Sequence, residues 1–181
     1  TGWMPYWSTA ASTASVVENK DLFSEVSPFW YSATWTGTTS AITQQVSNSS
    51  QASALAELRA AGVKIVPSLT DGMPAKRMAA VMKSPTARAT FINRLVNLAV
   101  TNGYDGLDLD FEKFAFSDGR STWSTTRLSW ITFVAQLSAA LEHTELTETA
   151  REAEVLAETD QVRSALLSAV SHDLRRPLAA A

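Results

Sequence analysis

Apolar and polar positions along this chain repeat with two periods, and the alternation between them predicts the architecture. Short aromatic-rich apolar runs at residues 2–7, 26–31 and 63–69 read as strands. Residues 51–61, between the second and third, are alanine-rich with Leu55 and Leu58 three apart, and Gly62 supplies a helix stop. Ser84-Pro85 fits an N-cap followed by proline at the first helical position. The helix after it carries Phe91, Leu95 and Leu98 beside Ile92, Val96 and Ala99, a stripe of period 3.6 that Gly103 closes. Residues 104–111 then form a fourth strand and residues 126–141 a helix. Strand and helix in this rhythm mean parallel β/α units. About four such units make a partial (β/α)8 barrel of the TIM type, a fold whose chemistry sits at strand C-terminal ends. Glu112 falls at such an end. The Ser- and Thr-rich segment 36–50 reads as loop.

The fourth strand carries the candidate chemistry. In Asp105-Gly106-Leu107-Asp108-Leu109-Asp110-Phe111-Glu112, Asp108, Asp110 and Glu112 alternate with Leu107, Leu109 and Phe111. Extended backbone would put the carboxylates on one face and the apolar groups on the other. Carboxylates about 7 Å apart raise one another's pKa. Such an array keeps one acid protonated beside ionised neighbours, as general-acid catalysis near neutral pH requires. Asp105 has the wrong parity for that face and is expected to buttress the strand start. A calcium loop is excluded, because the sixth position from Asp108 is Lys113 and the twelfth is Gly119.

Composition divides the chain. Every aromatic residue precedes Val134 and the last glycine is Gly119, while residues 142–181 contain no aromatic, glycine or lysine. That tail has 12 charged residues in 40 against 21 in the first 141, so two kinds of polypeptide meet near residues 138–146. Domains are expected at 1–141 and 142–181. A net charge of −3 argues against nucleic acid or an anionic membrane as the main partner. No apolar run approaches the length of a membrane span. Zero cysteine removes disulfides and thiolate metal sites. No metal and no cofactor is expected.

The acidic strand matches the D-x-x-D-x-D-x-E signature, and residues 1–141 resemble the N-terminal half of a family-18 glycoside hydrolase, the chitinase-like group. Gly2-Trp3-Met4-Pro5-Tyr6-Trp7 resembles the family's first strand and Ser27-Pro28-Phe29-Trp30-Tyr31 its second. The resemblance implies substrate-assisted, retaining hydrolysis of β-1,4-linked N-acetylglucosamine polymers, with the sugar's own N-acetyl oxygen as nucleophile. It makes Glu112 the acid that protonates the glycosidic oxygen. Asp110 would orient the acetamide, Asp108 would share a proton with Asp110, and Trp3, Trp7 and Tyr31 would be the wall on which sugar rings stack. The third strand ends Ser68-Leu69-Thr70-Asp71-Gly72 where the family has Ser-x-Gly-Gly. Nothing after Leu141 supplies strands five to eight, so the chain is expected to be inactive as it stands.

The tail resembles a different family. Val155, Val162, Leu166 and Val170 form a helical stripe suited to a partner helix, and Pro177 is the first breaker, so one helix is expected from about residue 144 to 176. Ser171-His172-Asp173-Leu174-Arg175-Arg176-Pro177-Leu178 resembles the H-box of sensor histidine kinases, Kdp type. That likeness implies His172 as phosphoacceptor and Asp173 as the adjacent acid/base residue, with self-association through the helix. It points to the cytoplasm, whereas the glycosidase part points to the cell exterior or wall. A third reading takes the chain as an inactive carbohydrate-binding or fused fragment. The six tryptophans serve equally well as core packing.

Overall fold

The computed structural model describes the backbone of residues 1–178 and the side chains of residues 1–163 except residue 115. The chain falls into two compact units, Thr1–Ser138 and Ala139–Ala181.

In the first unit, strands β1 (Gly2–Pro5), β2 (Glu25–Trp35), β5 (Ser68–Asp71) and β6 (Asp108–Asp110) lie side by side in that order, all parallel. This is the α/β fold with a parallel sheet and a partial barrel that the alternating pattern predicts. Helices α1 (Thr9–Glu18), α2 (Asn48–Ala60), α3 (Arg77–Lys83) and α4 (Pro85–Asn102) fill the crossovers. Among the described residues β1 and β6 are each paired on one side only.

The helix boundaries follow local chemistry. Ser47 Oγ accepts the Ser50 amide at 3.2 Å to start α2, and Gly62 ends it with φ +74°. Ser84 Oγ accepts the Ala87 amide to start α4, with Pro85 in the first turn. Gly103 takes the left-handed conformation at φ +58°, freeing the Tyr104 amide to reach the Ala99 carbonyl at 2.9 Å. Phe91, Ile92, Leu95 and Ala99 are the buried face of α4. Phe91 stacks on Phe133, centroids 5.8 Å apart, in the first part of α6 (Trp123–Leu178). Both rings are fully buried, so Phe133→Ala would cost about 3–5 kcal/mol.

Several elements depart from the sequence pattern. The third strand is broken into β4 (Lys64–Ile65) and β5, because Pro67 between them has no amide to donate; its carbonyl instead accepts from Asp108. Residues 36–50 are not all loop. Ser40–Gln44 form β3, antiparallel to β2, with Ser32 opposite Thr43 and Trp35 opposite Ser40. The β-branched Ile42 and Thr43 suit a pleated surface, which a count of Ser and Thr alone conceals. Helix α1 has no leucine and no strong stripe, and only Thr9, Thr13 and Val16 are buried on it.

The second unit is helical. Helix α6 runs without a break to Leu178, one residue beyond Pro177. On it Leu146, Val155, Leu156 and Val162 are exposed. His172 and Asp173 lie outside the residues whose side chains are described.

Candidate functional site

Register places the acids. Ser68 on β5 sits opposite Asp108 on β6, and Thr70 opposite Asp110, so these four residues share one sheet face. Ser68 Oγ donates to Asp108 Oδ2 at 2.6 Å and accepts from Trp3 Nε1 at 3.0 Å. A chain of hydrogen bonds thus crosses the sheet from β1 to β6, and the fully buried Ser68 is its middle link. Thr70 Oγ1 meets Ser32 Oγ at 3.1 Å on the same face. On the opposite face Phe111 is buried against Phe91 and Trp130.

Glu112 is not on the strand. Extended structure stops at Asp110, Phe111 turns the chain with φ −99° and ψ 59°, and Glu112 is the first residue of the short helix α5 (Glu112–Ser117). The expectation of three carboxylates on one strand face therefore holds for Asp108 and Asp110 and fails for Glu112. Glu112 still acts on its neighbours. Burial, then the Glu112 charge, then the Asp108 charge push the Asp110 carboxyl above the usual aspartate range.

Asp105 buttresses the strand start: its Oδ2 accepts the Ile65 amide at 2.8 Å, and its own amide donates to the Ile65 carbonyl at 3.0 Å.

Trp3 and Trp7 are 56% and 67% exposed, and with Tyr6 they surround Phe29. Trp3 lies 4.9 Å from Phe29 between centroids, and Tyr6 meets Trp7 edge-on at 5.0 Å. Tyr31 does not join this wall. A register irregularity between Phe29 and Tyr31 pairs Tyr31 with Leu69, on the face turned away from the acids. Tyr31 is 3% exposed, and its hydroxyl bonds Tyr104 Oη at 2.7 Å and the Gln51 side-chain amide. A buried ring offers no surface to a sugar, so Tyr31 is a core residue. Phe29 and Tyr6 are the aromatic neighbours that sequence reasoning missed, although both lie in the runs it read as strands.

A cavity of about 330 Å³ lies between β1 and α1, lined by Gly2, Trp3, Met4, Ser8, Ala11, Ser12, Ser15, Val16 and Phe23. It contains no ionisable side chain and cannot carry acid–base chemistry. Among the described residues no group of three His, Cys, Asp or Glu side chains could hold a metal ion. No helix among them is long and apolar enough to cross a membrane.

Parallel β/α units with carboxylates at the end of the last strand define a β/α-barrel protein with its acids on the side where barrel enzymes do their chemistry. The model of the glycosyl hydrolases family 18 matches residues 4–173, and the chain belongs to that family. Its fold is shared with a class V chitinase from Pseudomonas fluorescens Pf-5 (TM-score 0.62, 19% identity, 79% of this chain and 42% of that one). A chitinase from Bacteroides thetaiotaomicron is similar too (TM-score 0.57, 15% identity, 76% of this chain and 42% of that one). The chain also matches part of the Sensor protein KdpD of Rathayibacter rathayi, at 74% identity over 43 residues, or 24% of this chain and 5% of that protein. It therefore spans less than half the length of these chitinases and a small part of the sensor.

Proposed function

We propose that the first unit carries the acid half of a chitinase-like site acting on β-1,4-linked N-acetylglucosamine polymers by substrate-assisted retention. The observation that carries this reading is the placement of Asp108 and Asp110 on one sheet face with Glu112 heading the helix that follows; burial, then the Glu112 charge, then the Asp108 charge raise the Asp110 pKa. Glu112, exposed at the head of α5, protonates the glycosidic oxygen. Asp110 orients the acetamide so that its carbonyl oxygen attacks the anomeric carbon, and it stabilises the resulting oxazolinium ion. Asp108, fastened by Ser68, shares the proton that Asp110 holds. Trp3 and Trp7 present ring faces to the sugars, with Tyr6 and Phe29 bracing them. Water excluded by the stacked glycan strengthens each of these charge interactions.

The test compares two substrates by proton NMR, using the chain joined to the C-terminal half of a family-18 barrel. An N-acetylglucosamine tetramer should release product first as the β-anomer, and a glucose tetramer of the same linkage should stay intact. First release of the α-anomer, or equal cleavage of both substrates, contradicts the mechanism.

The resemblance of residues 171–178 to an H-box, together with the identity to part of the sensor, supports a second reading for the tail. In it the helix bearing His172 and Asp173 is a phosphoacceptor and dimerisation segment. Labelling by a partner kinase domain that disappears in His172→Gln supports it, and label that persists in that variant contradicts it.

A further inference from the structure

We propose that Thr70 is a specificity-determining residue: fixed beside Asp110 on the acid face of the sheet, it closes the seat of the sugar's N-acyl group and admits acetyl but not longer acyl chains. The inference rests on the reading of Asp110 as the group that orients the acetamide, and adds what limits the size of its guest. Thr70 on β5 is paired in register with Asp110 on β6, so the two side chains leave the same face of adjacent strands. Both are half-buried. What β5 offers to β6 differs between the two acids. Ser68 turns its hydroxyl to Asp108 and bonds it at 2.6 Å. Thr70 turns its hydroxyl the other way: Oγ1 lies 3.1 Å from Ser32 Oγ and 3.4 Å from the Tyr31 carbonyl oxygen, both on β2. With the oxygen held on the β2 side, the group that Thr70 leaves toward Asp110 is its methyl. An acyl group held by the Asp110 carboxyl therefore meets carbon at its flank. An acetyl methyl suits that neighbour, and a hydroxyl or a charge does not.

The methyl has nowhere else to go. A β-branched side chain is stiff at its first torsion, and turning this one would break its contacts with β2. Ser32, which holds the hydroxyl, is itself confined. It stands opposite Thr70 on one side and Thr43 on the other. A Cβ on Gly72 would collide with Ser32 Oγ, so the Gly72 backbone packs directly against the hydroxyl that holds Thr70. The Gly72 amide bonds the Ala33 carbonyl at 2.8 Å, which fixes that close approach. A side chain locked in this way acts as a size filter, since one surplus methylene against a rigid apolar wall costs about tenfold or more in affinity. Glycine at this position, as in the Ser-x-Gly-Gly pattern, would leave the space open.

The experiment is calorimetry of the full chain with two β-1,4-linked glucosamine tetramers, one N-acetylated and one N-butanoylated. The wild-type chain should bind the N-acetyl tetramer at least about tenfold more tightly. Thr70→Gly should abolish most of that preference by opening the space, and Thr70→Ala, which removes the methyl and disturbs the strand less, should do the same. Thr70→Val keeps the branched bulk without the hydroxyl and should retain the preference. A ratio between two ligands is not moved by a loss of stability alone, and if Thr70→Gly does not fold, Thr70→Ala carries the test. A wild-type chain that binds both tetramers alike or neither overturns the proposal. So does a preference that survives in Thr70→Ala or vanishes in Thr70→Val. The underlying role of the acetamide is tested by N-acetylglucosamine against glucose tetramers and the size limit by acyl length, so the two ideas fail separately.

Discussion

Ser68 donates to Asp108 across 2.6 Å from the adjacent strand, and Trp3 donates to Ser68, so an exposed aromatic residue and a carboxylate are joined through one buried hydroxyl. Ser68→Ala should therefore affect both. A hydrogen bond to a charged group contributes about 1.5–3 kcal/mol, and chemical denaturation should register a loss of that order. Trp3 fluorescence should change at the same time. An unchanged midpoint and spectrum would show that the relay does not persist in solution.

Asp110 has a folded-state pKa above the 3.8 of a free aspartate, chiefly from burial and then from the Glu112 and Asp108 charges. A proton bound more tightly in the fold stabilises the fold while it is bound. That stability is fully present below the unfolded pKa of about 3.9 and is lost as pH rises through the folded value. Asp110→Asn should flatten the dependence of Tm on pH over this range and raise Tm near neutral pH. Asp71 titrates in the same direction, so the difference between wild type and variant isolates Asp110. A variant whose Tm falls equally at every pH contradicts the assignment.

Tyr31→Phe separates core from platform. Removing the hydroxyl takes one hydrogen-bond partner each from Tyr104 and Gln51, which still bond each other at 2.9 Å, and should cost about 0.5–1.5 kcal/mol, while binding of an N-acetylglucosamine tetramer stays unchanged. Trp3→Ala should do the reverse, weakening binding with little effect on stability, since Trp3 is more than half exposed. Calorimetry and denaturation of both variants check the contrast.

The contrast also shows what the sequence makes legible. The four parallel strands, the caps at Ser84 and Gly103 and the carboxylate row follow from local periodicity and turn chemistry. Tyr31 does not, because a single irregularity in β2 reverses the face of every residue after it, and no local pattern announces that. Glu112 leaves the strand for a similar reason. Alternation continues through it, but the backbone turns at Phe111, whose ring packs against Phe91 and Trp130, and those contacts are tertiary. Strand β3 was hidden by composition, its Ser and Thr reading as turn residues until β2 supplies a partner.

On α6, Val155 and Val162 fall on one stripe and are 57% and 55% exposed. An isolated helix of this kind is marginal in water unless the stripe is covered. Sedimentation equilibrium of the full chain should show self-association, and Val155→Glu with Val162→Glu should return it to monomer. A wild-type chain that remains monomeric at high concentration contradicts this part of the account.

The described sheet has open edges at β1 and β6, and positioning of reactants is worth about 7–11 kcal/mol in a fully organised site, so the chain alone should turn over glycans slowly. Joining it to the C-terminal half of a family-18 barrel should raise the rate. The most direct test is hydrolysis of a fluorogenic N-acetylglucosamine dimer by that joined protein, with and without Glu112→Gln. Turnover that falls by about 10²–10⁴-fold in the variant is the expected result for loss of a general acid. Turnover that Glu112→Gln leaves unchanged contradicts the central claim.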